Sequence, residues 1–289
     1  MNTTINNILC DNIDPSKIKL TEKLNSLFDQ LANLLPNGII IAFSGGVDSS
    51  FLLWATEQVR KSKGGKLLAL TTNSASMPQI DLGDAKSFAE LIGVEQQFEN
   101  SNEISNPDYL KNDIDRCYHC KTELFRITLD IAKVDGYEHI VYGYNYSDIG
   151  DTRPGHKAAL ENNIISPLAE AKLTKDDIRY VMQKNNLPFF DKPSSPCLSS
   201  RIMHGIEVTE NRLKDIQEME NILYDGGLNI YRVRISKNED QTFLRIEVAP
   251  DEMLKVIEMK DRLWEEGIKR GYKWVTLDLQ GYRTGGGTI

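Results

Sequence analysis

Six consecutive residues have the types and spacing of a phosphate-binding turn. They are Ser44, Gly45, Gly46, Val47, Asp48 and Ser49. Paired glycines let backbone N–H groups turn toward a ligand, and the N-terminus of a following helix adds partial positive charge. No Lys-Ser or Lys-Thr pair follows, which excludes a Walker A loop, and the spacing excludes the dinucleotide-binding G-x-G-x-x-G. The turn is predicted to bind a nucleotide diphosphate, with Asp48 holding the loop or a Mg²⁺ ion.

A second group of polar residues is predicted to complete the nucleotide site, because ligands of open α/β sheets lie beyond the carboxyl ends of the strands. Its members follow two apolar runs, and they are Asn73, Gly143, Asn145, Asp148, Asp151 and Arg153. Asp148 and Asp151 are candidate Mg²⁺ ligands, since carboxylate oxygens suit a hard cation that bridges phosphates. The alternative is that both carboxylates cap their loop. Arg153 could neutralise an adenylate, and Asn73 lies on a predicted wall for adenine or ribose.

The four cysteines form the third chemical feature. Cys10 is interpreted as incidental, whereas Cys117 and Cys120 form a C-x-x-C motif that follows a loop-like segment, residues 113–116. A single C-x-x-C is too few ligands for a zinc site, and a thioredoxin-type motif should directly follow a strand. Cys197 is flanked by prolines and by Arg201, a cation that favours the thiolate. Three cysteines leave one open position on an iron–sulfur cubane. Alternatively, His119 completes a metal site, or Cys197 is a buried apolar residue.

The elements that must position these residues alternate between strands and helices. Strands are predicted at residues 38–43, 66–72, 94–98 and 139–143, and helices at 15–36, from 47 onward, 81–92, 124–132 and 175–185. Such alternation implies crossover connections and a doubly wound parallel sheet, so the predicted fold class is α/β. Residues 1–200 form the predicted nucleotide domain. Residues 201–289 show an α-β-β-α-β order, which predicts a smaller antiparallel α+β domain.

The length, the net charge and the apolar runs of the chain disfavour several classes of protein. The chain has 289 residues and a net charge of −8, which disfavours nonspecific binding to nucleic acid. No signal peptide and no apolar run of about 18 residues is visible, so a cytoplasmic protein without a membrane span is expected. A disulfide framework is not expected in a cytosolic chain of this size.

The six-residue turn resembles the S-G-G-x-D-S signature of the PP-loop ATP pyrophosphatases, which have a HUP-like fold. Within that superfamily the chain is similar to the LarE family of ATP-dependent sulfur transferases. The segments that carry this resemblance run almost from end to end, and they are Cys117–Lys121, Gly150–Gly155, Ser166–Leu168, Pro196–Arg201 and Gly281–Gly285. The last residues, Gly285–Ile289, depart from the family's usual ending, which leaves the role of the tail and the substrate open.

The resemblance implies an enzyme that forms AMP and pyrophosphate in nickel-pincer cofactor biosynthesis or a related thiolation. ATP, with Mg²⁺, would adenylylate a carboxylate, and Cys197 would attack the activated carbon with Arg201 beside it. In one branch of the family this cysteine gives up its own sulfur and becomes dehydroalanine. In another branch three cysteines bind a 4Fe–4S cluster that carries the sulfide. The C-x-x-C motif favours the second branch, with Cys117, Cys120 and Cys197 as ligands.

The resemblance also implies a small carboxylate substrate that carries a nucleotide-like phosphate, and a homo-oligomer. Arg232 and Arg234 alternate on a predicted strand, so both face one side and could bind that phosphate bidentately. Ser200 and Glu220 are predicted to assist them; the alternative for the arginines is a solvated strand face. Three rival functions remain: an ammonia-dependent PP-loop ligase, a tRNA thiolase and a nucleotide- or metal-binding module without catalysis. The acidic chain and the absence of a basic, aromatic-rich patch count against the tRNA thiolase.

Overall fold

The computed structural model describes residues 17–150 and 154–283. Close packing divides them into two compact units. The first contains the chain up to Asn73, Ile80–Ser101 and Cys120–Ser195, and the second contains Ser74–Gln79, Asn102–His119 and the chain from Pro196 onward. The second unit therefore draws two segments from the N-terminal half. The division near residue 200 stays a prediction, because packing groups residues by contact and not by continuity of the chain.

The elements follow the predicted alternation. The helices are α1 (Ile18–Leu34), α2 (Val47–Lys63), α3 (Gln79–Ile92), α4 (Pro107–Leu110), α5 (Arg116–Asp135), α6 (Pro154–Glu161), α7 (Pro167–Glu170), α8 (Lys175–Lys184), α9 (Glu210–Asp225), α10 (Met253–Glu258) and α11 (Lys260–Lys269). The strands are β1 (Ile39–Ala42), β2 (Leu67–Asn73), β3 (Gln96–Asn100), β4 (His139–Tyr142), β5 (Tyr231–Asn238), β6 (Gln241–Val248) and β7 (Val275–Leu277). No described helix combines the length and hydropathy that a bilayer crossing requires.

The first unit is built on a parallel sheet. Its four strands have the order β3-β2-β1-β4, and every neighbouring pair is parallel. The central strand β1 reads Ile-Ile-Ile-Ala and is buried along its whole length, as expected when helices cover both faces of a sheet. In α1 the buried residues Leu20, Leu24, Leu27 and Leu31 form one apolar stripe toward the core. The predicted α/β class is therefore confirmed.

The second unit holds a three-stranded sheet. β5 and β6 are antiparallel, as predicted, but β7 pairs with β6 in parallel register. The expectation of a purely antiparallel domain was wrong, because α10 and α11 lie between β6 and β7 and provide the crossover that parallel pairing needs. Val233, Ile235, Leu244 and Ile246 alternate along β5 and β6 and are fully or almost fully buried. The opposite face carries the charged residues described below.

The C-x-x-C motif lies within a helix, and residues 113–115 of the predicted loop-like segment before it are not helical. Cys117 and Cys120 lie among the first five residues of α5, whose start precedes the predicted start at residue 124. The backbone N–H groups of Tyr118 and His119 donate to the carbonyl of Asp115 at 2.8 and 3.3 Å. The first residues of α5 show no apolar stripe in the sequence, so periodicity gave no signal for the helix.

Candidate functional site

The predicted phosphate turn connects β1 to α2 in the first unit. Gly45 has a φ of +69°, and a Cβ atom there would lie 2.9 Å from the Cβ and backbone N atoms of Ala85. Glycine at 45 is thus required by conformation and by space. Gly46 has a φ of −77°, and a Cβ atom there would make only ordinary contact, at 3.5 Å, with Ser44 Oγ. The fold alone therefore does not require glycine at 46.

Two hydroxyl groups and the end of β4 frame this turn. Ser49 Oγ donates to the Gly46 carbonyl at 3.0 Å and lies 3.2 Å from Ser44 Oγ. A Cβ atom on Gly143 would come within 2.7 Å of Ser49 N, so β4 ends directly against the first turn of α2. Gly143 and the phosphate turn are thus close together. Asn73 ends β2 in an exposed position and donates through Nδ2 to Asn100 Oδ1 at 3.2 Å.

Asp48 is the charged residue of the turn, and its partner is a lysine that the sequence analysis missed. Lys175 Nζ lies 2.5 Å from Asp48 Oδ2, whereas the buried Asp48 Oδ1 has no hydrogen-bond partner among the described residues. Burial raises the pKa of Asp48, Lys175 opposes that rise, and the nearby charge of Asp148 adds to it. Thr174 and Asp177 form a capping box that fixes Lys175 at the first position of α8.

Asn145 and Asp148 cap a short 3₁₀ turn, Tyr146–Asp148. Asn145 Oδ1 accepts from Ser147 N at 2.8 Å, and Asp148 Oδ2 accepts from Asn145 N at 3.3 Å. Capping, which was the alternative to a metal-binding role for Asp148, is thus present in the structure. Asp151 and Arg153 lie outside the described residues.

A second lysine missed by the sequence analysis lies beside the turn. Lys192 Nζ is 3.5 Å from the Gly45 carbonyl, 2.7 Å from Asp84 Oδ2 and 2.8 Å from Asp81 Oδ1. Burial alone lowers the pKa of Lys192, but Asp81 and Asp84 outweigh it, so the pKa is raised and the lysine stays charged. Ser195 Oγ also donates to Asp81 Oδ2 at 2.7 Å. These contacts attach the segment before Cys197 to the start of α3.

Cys197 precedes a 3₁₀ turn, Leu198–Arg201, in the second unit. Three guanidinium groups donate to backbone carbonyls of this turn and of the residue before Cys197. Arg201 donates to the Pro196 carbonyl, Arg116 to the Ser199 carbonyl at 2.9 Å, and Arg234 to the Ser200 carbonyl at 3.2 Å. On the other side of the turn, Leu198 N donates to the Ser76 carbonyl at 2.6 Å. The thiol is therefore carried on a segment fixed from several directions.

The charges around this turn are mostly paired. Arg201 is 2% exposed and binds both oxygens of Glu220, at 2.9 and 3.2 Å. Glu220 also accepts from Val233 N on β5 at 3.0 Å, and its charge acts on Arg232, one of the predicted arginine pair. Arg116, at 6% exposed, has no carboxylate within ion-pair distance among the described residues, and its Nε has no hydrogen-bond partner there.

The two arginines predicted to bind phosphate lie on β5 in different surroundings. The guanidinium of Arg232 lies 5.2 Å from the ring centre of Tyr282. The pKa of Arg232 is lowered, mainly by burial and next by the charge of Arg201. Arg234 Nε lies 2.8 Å from Glu247 Oε1, an ion pair not aligned as a hydrogen bond, and Arg245 shares that oxygen at 2.9 Å.

Arg234 lines a cavity of about 160 Å³, and Arg232 is not among the residues of its wall. Half of the wall residues are cationic, and the wall is formed by Arg201, Met203, Arg234, Ile235, Ser236, Lys237, Phe243 and Arg245. A cavity with this lining suits an anion such as a phosphate.

The described residues do not assemble a cluster site. Cys117 is exposed on α5, Cys120 and Cys197 are partly exposed, and no group of three or more His, Cys, Asp or Glu side chains in the described ranges is arranged to hold a metal ion. The assignment of Cys117, Cys120 and Cys197 as ligands of a 4Fe–4S cluster therefore stays a prediction.

Comparison with known proteins gives three full-length similarities. No protein-family model matches this chain. An uncharacterised protein of Synechocystis is 36% identical over 266 residues, which are 91% of this chain and 95% of the relative. An uncharacterised protein of Methanocaldococcus jannaschii is 29% identical over 266 residues, 92% of this chain and 98% of the relative. Pyridinium-3,5-bisthiocarboxylic acid mononucleotide synthase of Lactiplantibacillus plantarum is 30% identical over 248 residues, 86% of this chain and 87% of the relative.

Proposed function

Because the chain belongs to the family of pyridinium-3,5-bisthiocarboxylic acid mononucleotide synthase, we propose that it uses ATP to activate a substrate carboxylate and then replaces oxygen by sulfur. The observation that supports this most directly is the turn at Ser44–Ser49. The fold would tolerate a side chain at position 46, yet the residue there is glycine. Gly46 lies at the N-terminus of the 17-residue helix α2. A bare backbone at a helix N-terminus is what a bound diphosphate requires.

In the first step, the backbone of the turn and the hydroxyls of Ser44 and Ser49 hold the β- and γ-phosphates of ATP. An oxygen of the substrate carboxylate attacks the α-phosphorus, the bond to the bridging oxygen breaks, and pyrophosphate leaves. Lys175 and Lys192 both lie at the turn, where their charge offsets that of the phosphates. The product is an acyl adenylate, which carries AMP as a leaving group.

Mg²⁺ fits this site. Asp48 Oδ1 is a buried oxygen without a hydrogen-bond partner among the described residues, and Asp148 is close enough to influence the pKa of Asp48. Two carboxylates are what Mg²⁺ commonly takes from a protein when phosphates and waters complete its octahedron. When bound, the ion would neutralise phosphate charge. Asp48 and Asp148 would hold it, and Asp151 remains a predicted third ligand.

In the second step, the Cys197 thiolate attacks the acyl carbon and AMP leaves, which gives a thioester. Removal of the Cα proton of Cys197 then breaks the Cβ–Sγ bond; the sulfur keeps the electron pair as the thiocarboxylate, and residue 197 becomes dehydroalanine. Cationic side chains near the turn would hold the anionic substrate. Arg234 on the wall of the cavity, with Arg232 and Ser200, would bind a phosphate on that substrate.

The proposal is tested by incubating the protein with ATP, Mg²⁺ and a pyridine dicarboxylate mononucleotide. We expect pyrophosphate and AMP in equal amounts, and loss of the elements of H₂S from the peptide that contains Cys197, seen by mass spectrometry. Pyrophosphate without any thiocarboxylate, in the presence of ammonia, would support an amide-forming ligase instead. No pyrophosphate with any carboxylate would contradict the enzyme assignment.

The origin of the sulfur is tested separately by iron and sulfide analysis after anaerobic purification. With Cys197 as the sulfur carrier, we expect wild type and Cys117→Ala to contain equal, background amounts of iron. Iron and sulfide present in the wild type and lost in Cys117→Ala would show that the three cysteines assemble a cluster, and would replace the dehydroalanine step.

A further inference from the structure

The cavity of the second unit has two cations on its wall that take no part in the proposed function. They are Lys237 and Arg245, which line the wall together with Arg201 and Arg234. No aspartate or glutamate belongs to this wall. An anion that enters the cavity therefore meets four cationic side chains, of which only some have been considered.

Arg245 lies directly opposite Arg234 in the sheet. β5 and β6 are antiparallel, and their register pairs these two residues, whose Cα atoms are therefore about 4.5–5.5 Å apart. Like charges directly opposite each other destabilise a sheet. A countercharge is consequently needed near both guanidinium groups.

The protein supplies only part of that countercharge. Glu247 Oε1 lies 2.8 Å from Arg234 Nε and 2.9 Å from Arg245 Nη2, so a single carboxylate oxygen serves both guanidinium groups. The second carboxylate near Arg245 is Asp278, whose Oδ2 lies 3.9 Å from Arg245 Nε. The two arginines thus converge on one oxygen and are both close to the cavity.

The remaining wall cations leave an excess of positive charge. Arg201 is neutralised by Glu220, whereas Lys237 has no carboxylate within ion-pair distance in residues 17–150 and 154–283. Four cations are therefore balanced by three carboxylates. A phosphate monoester carries a charge of about −1.5 to −2 at pH 7, and guanidinium groups bind its oxygens through paired donors.

We propose that Arg245, together with its cross-strand partner Arg234, binds the phosphate of the substrate and selects a phosphate monoester. The inference rests on the proposed function for the identity of that substrate. Binding of phosphate by the cavity is nevertheless a property of the protein alone, and it can be measured without ATP or a carboxylate.

The test is a titration of the protein with inorganic phosphate at pH 7 and constant ionic strength, followed by NMR of the backbone amides. The amides of Ser236 and Phe243 report binding in the cavity, whereas those of Gly45 and Gly46 report binding at the phosphate turn. In the wild type we expect phosphate to shift the Ser236 and Phe243 resonances. Arg245→Gln should weaken this binding about tenfold, because it removes a charged hydrogen-bond donor.

Arg262→Gln is the matched control. It removes the same charge from an exposed arginine of the second unit, whose partner Asp225 lies 3.8 Å away. Solvent and salt screen such a charge, so the dissociation constant of phosphate should stay within about twofold of the wild-type value.

Arg245→Lys separates charge from geometry. It should bind phosphate with a strength between that of the wild type and that of Arg245→Gln, because an ammonium keeps the charge and loses the planar pair of donors. If the amide spectrum of Arg245→Gln without phosphate shows a disturbed sheet, the comparison between Arg245→Lys and the wild type decides the proposal.

The proposal would be overturned if phosphate left the Ser236 and Phe243 resonances unchanged in the wild type. It would also be overturned by equal dissociation constants for wild type and Arg245→Gln, or by equal weakening in Arg245→Gln and Arg262→Gln. Failure of the proposed function looks different: no thiocarboxylate would form, while binding of inorganic phosphate would still depend on Arg245.

Discussion

The phosphate turn (Ser44–Ser49) and the Cys197 turn (Cys197–Arg201) are built in opposite ways. In the proposed function the first presents bare backbone to an anion, and the charge of its own aspartate, Asp48, is offset by Lys175. The second presents a side chain, the thiol, and its backbone carbonyls are occupied by three arginines. In the proposed function a ligand completes the first turn, whereas side chains of the protein already bind the backbone of the second.

The largest effect is expected from a substitution that removes the sulfur of the Cys197 turn and leaves the phosphate turn unchanged. Cys197→Ser should abolish thiocarboxylate formation, because a serine oxygen cannot supply sulfur, while carboxylate-dependent pyrophosphate release persists within about twofold, since that step uses the phosphate turn. Product sulfur and pyrophosphate are measured in the same reaction. Pyrophosphate release that stops together with sulfur transfer would show that the turns do not act as separate steps.

The next largest effect is expected from the buried ion pair of Arg201 and Glu220, which holds the Cys197 turn. Glu220→Gln should reduce the free energy of unfolding by about 3–5 kcal/mol, because it leaves the buried Arg201 guanidinium without its carboxylate. Urea unfolding monitors the loss. Asp225→Asn is the control: its partner Arg262 lies 3.8 Å away and both side chains are more than half exposed, so a change of at most about 0.5 kcal/mol is expected. Equal losses of unfolding free energy in Glu220→Gln and Asp225→Asn would argue that the Arg201–Glu220 pair does not stabilise the Cys197 turn.

The contrast between the turns also explains what the sequence could predict. The phosphate turn is encoded by six adjacent residues, so its place between β1 and α2 and the need for Gly45 follow from local rules. Lys175 is 127 residues from its partner Asp48, and Arg116 is 83 residues from Ser199. Such contacts depend on how distant segments fold together. No residue type near Asp48 or Cys197 in the sequence predicts them. Periodicity likewise missed the start of α5, where no apolar stripe exists.

A smaller effect should distinguish backbone shape from ligand approach within the phosphate turn. Gly45→Ala should lower the free energy of unfolding by about 1–3 kcal/mol, because the positive φ is costly for alanine and the new methyl group meets Ala85. Gly46→Ala should leave stability within about 1 kcal/mol of wild type, since its φ is ordinary, yet weaken ATP binding. Unfolding curves and calorimetric titration with ATP give the two readouts.

The control for that comparison is Gly93→Ala, whose φ of +76° is similar but whose new Cβ atom would meet nothing within 4 Å. It should show the conformational cost without the clash, and therefore a smaller loss than Gly45→Ala. If Gly46→Ala binds ATP as tightly as the wild type, the argument that its glycine serves the ligand fails.

The smallest effect is expected from the charge of the phosphate turn itself. Burial raises the pKa of Asp48, so its carboxylate is disfavoured in the folded state relative to the unfolded chain. A raised acid pKa contributes stability that is present below the unfolded value and lost as pH rises through the folded value. Asp48→Asn should therefore stabilise the protein without ATP at pH 7. The gain should vanish as pH falls below the ordinary aspartate value of 3.8.

Lys175→Met sharpens this prediction, because it removes the cation that partly offsets the buried carboxylate. It should destabilise the protein at pH 7, and Asp48→Asn should restore the loss when the two substitutions are combined, a coupling that a double-mutant cycle of unfolding free energies measures. Asp48→Asn that destabilises the protein at pH 7 would mean that the Lys175 pair outweighs burial. The phosphate turn would then be closed by its own ion pair, like the Cys197 turn, and not held open for a ligand.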